Sequence, residues 1–236
     1  MSELLYLRDP YIQRFEAIIV DHGDGGIILD KTAFYPGGGG QPFDRGQLTA
    51  GDDLWPVTKV KRIGREIGHD VDGELPAVGT QVVGHLDWQR RYNLMRIHTA
   101  LHILCGVIWR DYKSSVTGGN MEPLKGRMDF EFETMHQELV SEIEEAINRE
   151  VTAERDIIVR TLPREEAFEI PDLIRTKINL LPKGIKEVRT VEIVGLDLQA
   201  DGGTHVANTR EVGNIRVVDY KSKGKINKRI YIELDG

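Results

Sequence analysis

A single cysteine, Cys105, stands in 236 residues. One thiol closes no disulfide within the chain, so a reducing compartment is implied and a cytoplasmic location is expected. Long apolar runs are missing too. No stretch approaches the ~18–20 uninterrupted apolar residues of a membrane-spanning helix, and no membrane partner is expected. The first 14 residues lack the basic start, apolar run and small-residue cleavage site of a secretory signal. A basic excess is also absent: 31 Lys and Arg face 38 Asp and Glu, a formal net charge of −7. That balance argues against a general duplex-binding protein, which is basic as a rule, and leaves room only for local contact with nucleic acid.

What is present is an ordinary globular composition, 40% hydrophobic and 29% charged. At ~150 residues per domain it fills one large domain or two modest ones. The first third reads as β-structure. Residues 15–20 and 26–29 are short apolar segments separated by His22-Gly23-Asp24-Gly25, a hairpin-like break. The tract Gly37-Gly38-Gly39-Gly40 precedes strand-like segments at 47–48, 55–60 and 81–86. Glycine and aspartate punctuation every ~8–12 residues points to a small barrel or sandwich ending near Asp87.

Beyond Asp87 the pattern turns helical. Residues 91–109 carry Leu94, Ile97, Leu101, Leu104 and Ile108 at helical spacing and are apolar on nearly every side, which predicts a helix buried in a core. Met128, Phe130 and Phe132 alternate with charges over 127–133, the pattern of a strand exposed on one face. Residues 134–156 predict an amphipathic helix with Leu139, Ile143, Ile147 and Val151 inward. Its acidic run, Glu138, Glu142, Glu144 and Glu145, reads as a solvated face. A short helix over 163–168 and strands over 187–194, 214–220 and 228–234 complete the pattern. The expected fold class is α+β: a β-barrel domain over 1–87, then over 88–236 a domain of helices packed on an antiparallel sheet.

His98 and His102 stand four apart on the buried helix, ~40° around its axis, and can reach one ion from one face. Histidines that merely hydrogen-bond within a core are the plain alternative. The metalloprotease form of this spacing needs Glu directly after the first His; Thr99 stands there, which excludes peptide hydrolysis on that plan. In Asp201-Gly202-Gly203-Thr204-His205 two glycines separate a carboxylate from an imidazole, and a tight turn would bring both side chains to one point. Taken alone, those glycines read as a simple turn between strands. Together His98, His102, Asp201 and His205 form a workable tetrahedral Zn2+ set of three neutral nitrogens and one carboxylate. Cys105 shares the helical face of the two histidines and would complete a site that Asp201 does not reach. It reads better as a small buried hydrophobe.

Three motifs in order, Asp87-Trp88-Gln89-Arg90-Arg91, MRIHTALHIL over 95–104 and GGTHVANTREVG over 202–213, resemble the editing domain of alanyl-tRNA synthetase. They resemble still more its free-standing relatives, the AlaX proteins, and TAFYPGGGGQPFDRG over 32–46 is similar to the glycine-rich motif of the longer AlaX forms. The likeness runs from about Thr32 to the C-terminus. The chain's length leaves no room for a synthetase catalytic domain beside the editing unit, and it holds no ATP-binding pattern. The resemblance therefore implies a trans-acting deacylase, an ester hydrolase that clears tRNA(Ala) mischarged with serine or glycine, with Zn2+ at the histidine–aspartate set.

By the same resemblance His98, His102, His205 and Gln41 are the catalytic residues, and Thr32, Gly39, Gly40 and Gln41 contact substrate. Thr32 would partner the serine hydroxyl, Gln41 would position water or substrate, and the glycine tract would let backbone approach the terminal adenosine. One departure stands out: the family has Cys where this chain has Asp201. Thiolate and carboxylate carry the same charge, but oxygen is the harder ligand, so weakly held metal is expected, or an Asp201 that orients His205 from behind. Lys221, Lys223, Lys225, Lys228 and Arg229, with Arg90, Arg91 and Arg96 beside the histidine helix, are candidates to track tRNA phosphates. Solvated loop charges are their plainer reading. Two rival functions remain: a non-catalytic aminoacyl-tRNA-binding module, and a metal-dependent hydrolase of small esters.

Overall fold

The computed structural model describes residues 2–23, 26–176 and 184–236. The chain forms two compact units, Met1–Leu94 and Met95–Gly236. Among the described residues, the first unit holds β1 (Glu3–Leu4), β2 (Arg14–Gly23), β3 (Gly26–Leu29), β4 (Lys31–Thr32), β5 (Gly46–Ala50), β6 (Asp53–Ile63), β7 (Glu66–Val71) and β8 (Gln81–Leu86). Six of these strands close into an antiparallel barrel in the order β2-β3-β7-β6-β5-β8, and β1 pairs in parallel with β4. Strand β2 shows why the barrel closes on itself. Phe15, Ala17 and Ile19 are buried while Arg14, Glu16 and Ile18 between them are exposed, the period of two that puts one face on a core. Ile27, Leu29, Phe34, Leu48, Val60, Ile67 and Val82 belong to the same core. Strands β2 and β3 pair as far as Gly23 opposite Gly26, and the Asp24-Gly25 step of the expected hairpin break lies outside the described residues. The sequence does not announce β7. Glu66, Gly68, His69 and Asp70 give it little β-forming character, and pairing with β3 and β6 makes it a strand.

The glycine tract has a steric cause. Gly37, Gly38, Gly39 and Gly40 take φ of 83°, 140°, 58° and 90°, a run that side chains would strain. Gly38 and Gln41 then exchange both main-chain hydrogen bonds, at 3.0 and 2.9 Å. Just beyond the tract, the Asp44 carboxylate is buried against Arg91, and Arg91 also donates to Pro10 O (2.8 Å) and Ala33 O (2.5 Å). A guanidinium fully removed from solvent holds no phosphate, so Arg91 is corrected from a tRNA candidate to a structural cation. Its neighbour Arg90 donates to Phe43 O.

The helix α1 (Trp88–Tyr112) leads into the second unit, followed by β9 (Val116–Glu122), β10 (Lys125–Phe130), α2 (Gln137–Thr152), β11 (Ile157–Pro163), α3 (Arg164–Glu169), β12 (Glu187–Ile193), β13 (Asp197–Ala200), β14 (Ile215–Ser222) and β15 (Lys228–Leu234). Among the described residues the strands form two antiparallel sheets, β14-β15-β10-β9 and β11-β12-β13. No Asp, Glu, Lys or Arg occurs between Ile97 and Trp109, which is why α1 is buried on nearly all sides. Helix α2 lies on β14, where Asn148 both donates to Ile215 O (2.8 Å) and accepts its N–H (2.9 Å).

Several details of the sequence reading change. Val140, rather than Leu139, joins Ile143, Ile147 and Val151 on the buried face of α2. Glu144 of the supposedly solvated run accepts the Val217 N–H at 2.5 Å. Asp129, read as facing water, is buried in a bidentate pair with Arg229 at 2.6 and 2.8 Å.

Candidate functional site

The site is built on α1 and on the bend after β13. Arg189 on β12 donates to Asp201 O (2.9 Å) and its own carbonyl accepts the Asp201 N–H (3.1 Å), which pins the start of the bend. Asp201 Oδ2 then accepts the Gly203 N–H at 2.6 Å, closing the tight turn expected of the diglycine. Beyond it His205 stacks on His98 with ring centroids 4.2 Å apart and meets His102 edge-on at 4.6 Å. His98 and His102, one turn apart on α1, lie 5.1 Å apart. One donor atom from each of His98, His102, Asp201 and His205 falls within 4.8 Å of the others; the three histidines are buried and Asp201 is half-buried. Asp201 Oδ1 is 3.6 Å from His98 Nε2, and Oδ2 is 3.1 Å from His205 Nε2.

Burial sets the protonation of this cluster. It lowers His98 well below the usual imidazole range, helped by His205 alongside, and it lowers His205 to about 4. Both rings are therefore neutral near pH 7. Burial also works against a charged Asp201, but the surrounding imidazoles, His98 foremost, outweigh it and hold the carboxyl well below its ordinary value. For His102 burial is likewise outweighed, here by the Asp197 carboxylate, and its value is raised. Cys105 is outside the cluster; burial, then Asp197, pushes its thiol up and leaves it protonated and inert.

Two contributors went unread in the sequence. Thr99, noticed only as the residue that is not Glu, places Oγ1 3.1 Å from His205 Nδ1 and accepts the Val206 N–H at 3.3 Å. Asp197 places Oδ2 3.6 Å from His102 Nδ1. The one hint of Asp197 in the sequence is a carboxylate four residues before Asp201 in an otherwise uncharged strand.

The remaining candidates fall in other segments of the chain. Thr32 and Gln41 belong to the first unit and are buried, at 0% and 2% exposure. His69 Nδ1 donates to Ile27 O at 3.0 Å, which leaves Nε2 to accept the Thr32 hydroxyl at 2.8 Å. The Thr32 oxygen also accepts the Phe34 N–H at 3.1 Å. Gly39 is exposed and Gly40 half-buried in the tract. Of the basic residues near the C-terminus, Lys228 is buried with Nζ on Gly224 O and Lys225 O, and Arg229 is paired with Asp129. Lys223 and Lys225 are exposed, as is Lys221, which pairs with Asp219 at 2.9 Å. Arg96 donates to Val212 O and Asp235 O.

A β-barrel unit followed by an α+β unit that gathers three imidazoles and a carboxylate defines an α+β protein with a candidate metal centre. Comparison with known proteins narrows the class. Residues 7–90 match the family model described as tRNA synthetases class II (A), and residues 188–231, which hold Asp201 and His205, match the threonyl and alanyl tRNA synthetase second additional domain. The chain is 42% identical to the alanyl-tRNA editing protein AlaX-M of Saccharolobus solfataricus over 98% of both chains. It is 36% identical to the AlaX-M of Methanosarcina barkeri over 99% of both. It is also 39% identical to the alanine–tRNA ligase of Ignicoccus hospitalis, across 91% of this chain and 24% of that one. The chain belongs to the AlaX-M family of alanyl-tRNA editing proteins.

Proposed function

We propose that the protein is a trans-acting deacylase that hydrolyses the ester linking serine or glycine to tRNA(Ala). The convergence of His98, His102, Asp201 and His205, in a chain of the alanyl-tRNA editing family, carries this reading. The donor set suits Zn2+, which takes imidazole nitrogen and carboxylate oxygen. A tetrahedral ion with bonds of about 2.1 Å spaces its ligand atoms about 3.4 Å apart. Side chains already within 4.8 Å of one another need close in by about 1.4 Å at most. His98, His102 and His205 would hold the ion, with Asp201 as fourth ligand through the oxygen that Gly203 does not engage. When bound, Zn2+ supplies Lewis-acid polarisation of a carbonyl and eases deprotonation of water. An oxygen ligand where the family has sulfur makes for weaker, exchangeable metal.

The chain's own residues orient and select. Serine exceeds alanine by one hydroxyl, so exclusion by size is impossible and the site must reward the hydroxyl with a hydrogen bond. Thr32 is suited to that task in one sense only. Its proton goes to His69 and one lone pair takes the Phe34 N–H, so it meets a seryl hydroxyl as an acceptor. Because Thr32 is fully covered, the seryl group has to enter space that is closed in the free protein. Gln41, hydrogen-bonded through its main chain to Gly38, positions water or the aminoacyl group, while Gly39 and Gly40 offer backbone to the terminal adenosine. Phosphate contacts fall to the exposed Lys223 and Lys225, since Lys228 and Arg229 are held by internal partners, and such contacts make binding salt-dependent.

The test is deacylation of Ser-tRNA(Ala) by purified protein with and without chelator. Turnover that chelation abolishes and Zn2+ restores is expected. Tight tRNA binding without turnover would favour a binding module, and turnover of small esters alone would favour a small-ester hydrolase.

A further inference from the structure

The three histidines of the cluster are not supported alike. His205 leans on a neutral hydroxyl, Thr99, whereas His102 backs onto a carboxylate. Asp197 is completely removed from solvent, an expensive place for a charge without a task or a partner. It is also firmly placed. Gln199 Nε2 donates to Oδ2 at 2.5 Å, and Arg175 Nε faces Oδ1 at 3.4 Å, with the guanidinium lying 4.8 Å over the Trp109 ring. Helix α1 makes room for it: a Cβ on Gly106 would come within 2.9 Å of the Asp197 Cβ and of Leu196 Cγ. That approach is open only to glycine, and Gly106 lies one turn beyond His102 on the same helix. The third mark is on the imidazole. His102 Nδ1 is buried with no closed hydrogen bond, and the carboxylate is 3.6 Å away. Separations of this kind at functional sites commonly tighten once the site is loaded.

We infer that Asp197 is a positioning residue for the metal centre, the carboxylate that fixes the ring and tautomer of His102 so that Nε2 is presented to the ion. A ligating imidazole that donates its other N–H to a carboxylate is both oriented and made a better donor. The inference rests on the metal reading above and deepens it. With Asp201 a hard ligand in place of Cys, a strengthened His102 offsets part of the lost affinity.

Zn2+ titration against a chromophoric competing chelator tests this on four full-length proteins: wild type, Asp197→Asn, His102→Ala and the double variant. Asp197→Asn is expected to weaken Zn2+ about 10–100-fold. In the His102→Ala background the same change is expected to cost nothing further, because the partner through which Asp197 acts is gone. An unchanged affinity in Asp197→Asn, or an equal loss with and without His102, overturns the assignment. Gln199→Ala guards against an Asn variant that fails to fold: it keeps both charges, loosens the carboxylate and is expected to weaken Zn2+ several-fold, and unchanged affinity there also overturns the assignment. Asn148→Ala, which removes the α2–β14 hydrogen bonds, sets the baseline for mere loss of stability and is expected to leave Zn2+ affinity untouched. A wild-type protein that takes up no Zn2+ overturns the metal reading itself, and this assignment with it.

Discussion

The barrel and the α+β unit each bury imidazoles, and burial treats His69 and His205 alike: both are lowered to about 4. Their surroundings differ. His69 donates its Nδ1–H to the Ile27 carbonyl and accepts the Thr32 hydroxyl at Nε2, so both nitrogens are satisfied by the barrel itself. His205 is packed among two other imidazoles and a carboxylate that crowd one space. A neutral buried histidine is therefore no sign of a metal site. What sets the second unit apart is that donor atoms of three imidazoles and a carboxylate lie within 4.8 Å of one another, with Thr99 Oγ1 3.1 Å from His205 Nδ1 and Asp197 Oδ2 3.6 Å from His102 Nδ1. In the first unit His69 and Arg91 are held by internal partners, whereas the second unit gathers three imidazoles and a carboxylate that could hold a metal ion.

The sharpest way to break that contrast is to damage the barrel's internal pairing. Asp44→Ala leaves Arg91 buried without its partner, a loss worth about 3–5 kcal/mol. Urea unfolding is expected to register that loss while Zn2+ affinity of the folded protein stays unchanged. A stability within about 1 kcal/mol of wild type would show that Arg91 finds other partners.

Acid acts on both units, since His205 shares the lowered value of His69, and the barrel's part is read through His69. His69 has a folded value of about 4 against an ordinary 6.5, so its contribution is complete above pH 6.5 and is lost as pH falls towards 4. The unfolded chain binds the proton first, and the linkage amounts to about 3 kcal/mol once pH is below 4. His69→Gln is expected to flatten that part of the pH dependence in urea unfolding. NMR of the wild type should show a His69 ring that does not titrate between pH 8 and 5.

The third effect belongs to the α+β unit alone. Zn2+ at one hundred times its dissociation constant stabilises a folded protein by about 2.7 kcal/mol. Wild type is expected to gain this in thermal or urea unfolding. His205→Ala and His98→Ala are expected to fold, to gain nothing from Zn2+ and to lose Ser-tRNA(Ala) deacylation. Full activity in either variant contradicts the ligand set.

These contrasts also mark what the sequence made legible. The four clustered side chains were readable because both pairs are local: one turn of an apolar helix, and a five-residue diglycine bend from Asp201 to His205. Strands β8 and β15 were readable to the residue, since Gln81–Leu86 and Lys228–Leu234 alternate cleanly. Strands β7, β9, β11 and β13 were not. Val116–Glu122 carries Gly118-Gly119-Asn120 and β13 spans four residues, so their pairing partners decide them and no local pattern does. Thr99, Asp197 and Asp129 escaped for the same reason. Each takes its role from a partner far along the chain, 106 residues away for Thr99 and His205, and single-sequence periodicity holds no record of such pairs.

The smallest effect is the most specific. Thr32→Val keeps the shape of the side chain and deletes the hydroxyl, leaving His69 Nε2 and the Phe34 N–H without their partner. That costs the barrel about 1–3 kcal/mol, a loss that falls on every substrate alike. The discriminating part is different. If Thr32 accepts a hydrogen bond from the seryl hydroxyl, the valine variant is expected to hydrolyse Ser-tRNA(Ala) about tenfold less well relative to Gly-tRNA(Ala), the value of one such bond. Thr32→Ser, which keeps the oxygen, should preserve the ratio while losing some stability. His69→Gln is the companion measurement. By releasing the threonine proton it frees Thr32 to donate as well as accept, and discrimination between the two substrates should loosen without vanishing. Equal losses on both substrates in Thr32→Val would return Thr32 and His69 to the purely architectural side of the comparison.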